Sequence, residues 1–156
     1  MLLTRLDRVN PVVAELNGLF RDGSLSPTQR AHAARLAHLL FGADDQLIVY
    51  GSLVPGGPNH DRVSDLEGTW IQGTLTGDLI AVGWGAAHGY SAFSWRADGP
   101  RIRAWLLRSP SLGARWEALD AFEGPEYCRV LAPLETSGGE LVAVGYLYEG
   151  VGGPPL

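Results

Sequence analysis

Leu47-Ile48-Val49-Tyr50-Gly51-Ser52-Leu53 is the stretch on which the reading of this chain turns. Four apolar residues in succession, two of them β-branched, form a strand short enough to be buried on both faces. Gly51 follows at once and permits close backbone approach. Successive main-chain N–H groups at such a turn can form an anion-binding concavity. A plain strand-to-loop turn accounts for the same residues. The loop continues through Pro55-Gly56-Gly57-Pro58-Asn59-His60, which is dense in turn formers. No Gly-Lys-Ser/Thr ending follows, so this is not a phosphate loop.

Upstream, residues 1–45 read as helical. Val9, Val12, Val13, Leu16 and Phe20 recur at helical spacing until Arg21-Asp22-Gly23 ends the run. Ser26 then serves as an N-cap, with Pro27 at the first helical position and Gln29 completing a capping box. Ala31, Ala34, Leu36, Leu39 and Leu40 carry this second helix to Gly42. His32 and His38 read as ordinary helix residues. The apolar face of the first helix has something to bury, either a face of the following domain or a second copy, which makes the extension a candidate homodimer surface.

Downstream the character changes to short strands and turns. Thr69–Leu75, Ala92–Trp95 and Ile102–Leu107 read as strands, with a turn at Ala97-Asp98-Gly99-Pro100. Gly83–Tyr90 is a Gly/aromatic loop or irregular strand. Ser109-Pro110 repeats the N-cap-plus-Pro signal and opens a helix running to Glu123. Arg129–Glu135 and Leu141–Tyr148 form a hairpin about Ser137-Gly138-Gly139. Few helices, short strands and hairpin returns point to an α+β protein with a barrel-like sheet rather than a doubly wound one. Residues 1–45 are its helical extension and residues 46–156 the barrel domain.

On the helix before Gly124, Leu112, Trp116 and Leu119 sit at i, i+4 and i+7 of one face, and Glu123 occupies i+11. A carboxylate continuing an apolar stripe is paired, held partly protonated, or placed at the floor of a pocket. A glutamate on a fraying last turn, facing water, fits the spacing equally.

Composition narrows the function classes. The 156 residues are 46% hydrophobic and 19% charged with a net charge of −5, which is ordinary for a globular domain. All twelve basic residues are Arg and none cluster, which argues against nucleic acid. No apolar run approaches the roughly 18 residues of a membrane span, and Arg5, Asp7 and Arg8 interrupt any secretory core. Cys128 is the single cysteine, excluding an intramolecular disulfide and a Cys-rich zinc site. A cytoplasmic protein without membrane attachment is expected.

Two separated segments now form a pair. Val49-Tyr50-Gly51-Ser52-Leu53, followed by Gly56, Pro58, Asn59 and His60, resembles the signature opening of the γ-glutamylcyclotransferase-like superfamily. Leu119-Asp120-Ala121-Phe122-Glu123-Gly124, with Tyr127 and Arg129 after it, resembles the second signature, the helix bearing the catalytic glutamate. The resemblance covers residues 47–149. It implies a small mixed barrel that releases 5-oxoproline from γ-glutamyl amino acids, amines or related conjugates. By motif position Glu123 is the acid/base, the main chain of Gly51, Ser52 and Leu53 holds the γ-glutamyl moiety, and Tyr50 lines the cavity. The family's Gly-Glu-hydrophobic-Tyr strand appears here as Arg103-Ala104-Trp105-Leu106, a departure that keeps a non-catalytic binding module of the same fold in view.

Intramolecular aminolysis needs one carboxylate of raised pKa. Asp120, one turn before Glu123, is expected to help raise it through like charge. No metal or organic cofactor is required. Around the site, Asn59 and His60 read as closing the loop. Arg129 pairs with Asp120 or a substrate carboxylate, Cys128 is a small strand residue, and Tyr127 and Tyr148 are candidate cavity residues. Trp84 and Tyr90 fit either cavity wall or core.

Overall fold

The computed structural model describes residues 5–81 and 91–151. The Gly83–Tyr90 segment, with Trp84 and Tyr90, lies outside them. Two helices, α1 (Leu6–Phe20) and α2 (Pro27–Phe41), precede β1 (Gln46–Val49), β2 (Thr69–Ile80), β3 (Ala92–Trp95) and β4 (Arg101–Arg108). The chain then runs through α3 (Trp116–Glu123) into the hairpin of β5 (Tyr127–Glu135) and β6 (Leu141–Gly150).

The strand order is β3-β2-β4-β1-β6-β5, and β2 also meets β5 at Thr74 and Glu135. Strands β2, β4, β1, β6 and β5 therefore close a five-stranded barrel, with β3 appended to the far half of β2. All pairings are antiparallel except β1 with β6, so the barrel is mixed, in an α+β chain. All four residues of β1 are buried, as a central strand flanked by β4 and β6 requires.

The capping box of α2 forms as its residues dictate. The Ser26 hydroxyl accepts from the Gln29 N–H, and the Gln29 side chain accepts from the Ser26 N–H. Its packing differs from the sequence expectation. Ala33 and Ala37 face inward, whereas Leu36, Leu39 and Leu40 are exposed. Small residues let α2 lie close, with Leu39 on the far side of the wheel and Leu36 and Leu40 flanking the alanine face.

Helix α1 buries Val9, Val13, Leu16 and Phe20 along β5 of the same chain. Asn17, fully buried among them, donates to the Leu131 carbonyl at 2.8 Å and accepts from the Leu131 N–H at 2.7 Å. Gln46 ties the next junction. Its amide donates to the carbonyls of Phe41 and Val144 at 2.8 Å, and its oxygen accepts from Arg108.

The segment after β4 departs from the helix that Ser109-Pro110 announces. Ser109 is fully buried; its N–H donates to the Asp45 carbonyl and its hydroxyl accepts from the Ser111 N–H. A single 3₁₀ turn at Leu112–Ala114 follows, and the α-helix begins only at Trp116. The cap-plus-Pro signal here serves the turn off a strand. The buried stripe nevertheless survives: Leu112, Trp116, Leu119 and Glu123 are all buried.

Candidate active site

Glu123 ends α3 and is 8% exposed, so it does not face water as a frayed terminal residue would. Gly124 makes that placement possible. Its φ of +79° turns the chain sharply after the glutamate, a conformation strained for any side chain-bearing residue. The Gly124 N–H closes the helix on the Asp120 carbonyl at 3.0 Å.

A cleft opens in front of the carboxyl. Ile48, Val49, Tyr50, Gly51, Ser52 and Leu53 form one wall, and Ser91, Tyr127 and Tyr148 complete it with Glu123. Both sequence signatures therefore meet in one place. Burial pushes the Glu123 carboxyl up to about 7.

The 51–53 turn is braced from behind. The Asn59 amide donates to the Ser52 hydroxyl at 3.0 Å and the Asn59 N–H to the Ser52 carbonyl at 2.9 Å. His60 Nδ1 lies 2.9 Å from the Leu53 carbonyl. A side chain at Gly57 would put its Cβ 2.6 Å from the Ser52 carbonyl oxygen, so the loop needs glycine there to fold back. Among the described residues no acceptor takes the N–H groups of Gly51, Ser52 or Leu53, which leaves that row of donors to the cleft.

The tyrosines are held as neutral donors. The Tyr50 hydroxyl donates to the Tyr148 carbonyl at 2.6 Å, and burial, with the Glu123 charge second, drives its pKa well above the ordinary phenol value. The Tyr148 hydroxyl donates to Asp120 Oδ1 at 2.6 Å. Burial, then that hydrogen bond, pushes its pKa up as well.

Asp120 does not play the part expected of it. Arg129 pairs with it through Nε at 3.0 Å and Nη2 at 3.1 Å while lying over the rings of Trp116 and Tyr146. With its charge balanced and its oxygens turned to Tyr148 and Arg129, Asp120 is not a source of the Glu123 shift, whose cause is burial. Cys128 lies on the opposite strand face from Tyr127 and Arg129 and donates to the Phe20 carbonyl at 3.3 Å. Burial raises its thiol, the wrong direction for a nucleophile.

Sequence reasoning missed Ser91, which belongs to no motif, and Glu149, which is 4% exposed on β6. Among the described residues no group of three or more His, Cys, Asp or Glu side chains gathers as a metal site. Nor is any described helix long and apolar enough to cross a bilayer.

A five-stranded mixed barrel whose glutamate-bearing helix faces a glycine turn defines a class, and the comparisons give its family. Residues 47–155 match the family described as gamma-glutamyl cyclotransferase, AIG2-like, and the chain belongs to it. Among solved structures, it is similar to an AIG2-like protein from Mus musculus at 21% identity. That match has a TM-score of 0.50 over 67% of this chain and 76% of that one. It is also similar to an uncharacterised protein from Pyrococcus horikoshii at 16% identity, with a TM-score of 0.48 over 71% and 84% of the two chains. An Arabidopsis thaliana protein matches at 24% identity and a TM-score of 0.47, over 68% of each chain. No curated protein matches the sequence.

Proposed function

We propose that the protein is a γ-glutamylcyclotransferase that releases 5-oxoproline from a small γ-glutamyl amino acid, amine or related conjugate. The observation that carries this reading is the buried carboxyl of Glu123, raised to about 7, opposite the row of N–H donors at Gly51–Leu53. A group titrating near 7 populates both protonation states at working pH, which is what one residue acting first as base and then as acid requires.

In the proposed cycle the substrate's α-amine attacks its own γ-carbonyl carbon. A C–N bond forms, and Glu123 takes the proton that the attacking nitrogen sheds. The oxyanion of the tetrahedral intermediate is held by main-chain N–H groups of residues 51–53. Collapse breaks the bond to the leaving nitrogen, Glu123 returns its proton to that nitrogen, and 5-oxoproline and a free amine depart. Tyr50 and Tyr148 shape the cleft as neutral walls. Folding the glutamyl chain so that its amine meets its carbonyl lowers the entropic part of the barrier. Commitment of Arg129 to Asp120 supports this reading over a non-catalytic binding module, because Glu123 is then not the partner of that arginine.

The test is 5-oxoproline release, by mass spectrometry, from a panel of γ-glutamyl amino acids, amines and glutathione. Glu123→Gln is expected to lower kcat/KM by about 10²–10⁴-fold with the fold intact. In the wild type, kcat/KM is expected to rise with pH through about 7, as the base form of Glu123 becomes populated. Unchanged turnover in the variant would remove Glu123 from the mechanism. No product from any conjugate would favour the binding module.

A further inference from the structure

Strand β3 is laddered on one edge only. It ends the strand order, hydrogen-bonded to the far half of β2, and no described strand pairs with its other edge. Backbone groups on such an edge still need partners where they are buried. At Trp95, which is 6% exposed, side chains supply them. The Trp95 N–H donates to Glu149 at 2.8 Å, and the Trp95 carbonyl accepts from Arg21 Nη2 at 3.4 Å. The Ser94 hydroxyl adds a further bond to Glu149 at 3.2 Å. Arg21 grips Glu149 in turn, at 2.8 Å through Nε and 2.7 Å through Nη2. This clasp joins a carboxylate of the barrel to a guanidinium at the C-cap of α1, which lies outside the segment 47–155 that matches the family.

What β3 carries reaches the Glu123 cleft. Phe93 is fully buried and lies against Tyr50, with ring centroids 5.3 Å apart. Ser91, the residue before the strand, lines the cleft itself, as Tyr50 does. The Tyr50 hydroxyl donates to the carbonyl of Tyr148, the neighbour of Glu149 on β6. Glu123 stands on α3 and the 51–53 turn follows β1, and the hydrogen bonds of the clasp reach neither.

We propose that Arg21 is a positioning residue for this cleft. Acting through Glu149, it fixes β3 against β6 and so sets the wall formed by Tyr50 and Ser91. The inference rests on the cyclotransferase reading, and it brings a residue of the N-terminal extension into substrate binding without contact with the substrate. Because the acid/base and the oxyanion donors are carried by other elements, loosening β3 weakens binding and leaves the proton chemistry in place.

The test is Arg21→Met in the full chain, assayed with the best substrate of the γ-glutamyl panel. Misplacing one wall is expected to raise KM by about five- to tenfold while kcat changes less than about twofold. The rise of kcat/KM with pH stays centred near about 7. Arg21→Lys, which keeps the charge and a donor, restores part of the loss. Ser94→Ala removes one bond from the β3 side and is expected to raise KM by about twofold. Ser26→Ala is the control: it strips the cap of α2, destabilises the chain without touching β3, and leaves KM unchanged. Amide hydrogen exchange gives a reading independent of turnover. In Arg21→Met it is expected to quicken across β3 and to stay unchanged in β1 and β4. A wild-type KM in Arg21→Met, an equal rise in Ser26→Ala, or exchange quickened evenly over the barrel overturns the positioning role and leaves the cyclotransferase intact. Absence of 5-oxoproline from every conjugate with the wild type overturns the cyclotransferase, and the role in substrate binding with it.

Discussion

Two buried glutamates, Glu149 on β6 and Glu123 on α3, show two ways for a fold to hold a carboxylate out of water. Glu149 is surrounded by donors. Arg21 grips it with both ends of the guanidinium, the Trp95 N–H reaches it at 2.8 Å and the Ser94 hydroxyl at 3.2 Å. It joins the end of α1 to β3 and β6. Glu123 stands at the end of a helix beside an open cleft, and burial raises it to about 7. One carboxylate is tied into a cluster of donors, and the other lines a cleft with its carboxyl raised by burial.

That contrast can be broken most forcefully at Glu149. Glu149→Ala strips Arg21 of its partner and leaves the buried Trp95 N–H unsatisfied, so a loss of about 3–5 kcal/mol is expected, read by urea or thermal unfolding. A loss under about 1 kcal/mol would show that the cluster is incidental. At Glu123 the sign reverses. A carboxyl raised from 4.5 to about 7 in the folded state favours folding relatively below the unfolded value and penalises it as pH climbs through about 7. Glu123→Gln is therefore expected to be more stable than wild type at pH 8 by up to about 3 kcal/mol, a gain that vanishes near pH 4. The smallest effect belongs to Arg129. Arg129→Met leaves the Asp120 charge unbalanced one helical turn from Glu123, and the rise of kcat/KM with pH is expected to move upward by roughly half a pH unit. Adding Asp120→Asn should bring it back. A shift that persists in the double variant would mean packing over Trp116 and Tyr146, rather than charge, is what Arg129 supplies.

Much of the fold was legible because local signals and tertiary context agree. The apolar run of β1, the capping box at Ser26 and the C-terminal hairpin each use residues whose preferences match their final environment. The candidate site was legible through two motifs, and the family match rests on the same stretch of chain. What escaped is what only three dimensions assemble. Asn17 reads as one polar residue in an amphipathic helix until Leu131 stands opposite it. Asp120 reads as a like charge beside Glu123 until Arg129, nine positions on, folds back against it. Ser109-Pro110 misleads for a local reason: the Ser109 carbonyl accepts from Leu112, three residues on, so the chain enters a tight turn and then a 3₁₀ turn, and the α-helix starts only at Trp116. The leucines of α2 mislead because periodicity reports that a helix has an apolar face, not which face the core takes.

The clamp between Asn17 and Leu131 has a consequence for the assembly state of the barrel. Strand β5 meets β2 at one residue pair only, so over much of its length its outer backbone groups lack a neighbouring strand. The Asn17 carboxamide supplies one donor and one acceptor there, the pair that another strand would bring, while the apolar side of α1 covers the rest. A chain shortened to begin at β1 would expose that border as a template for adding strands from other molecules.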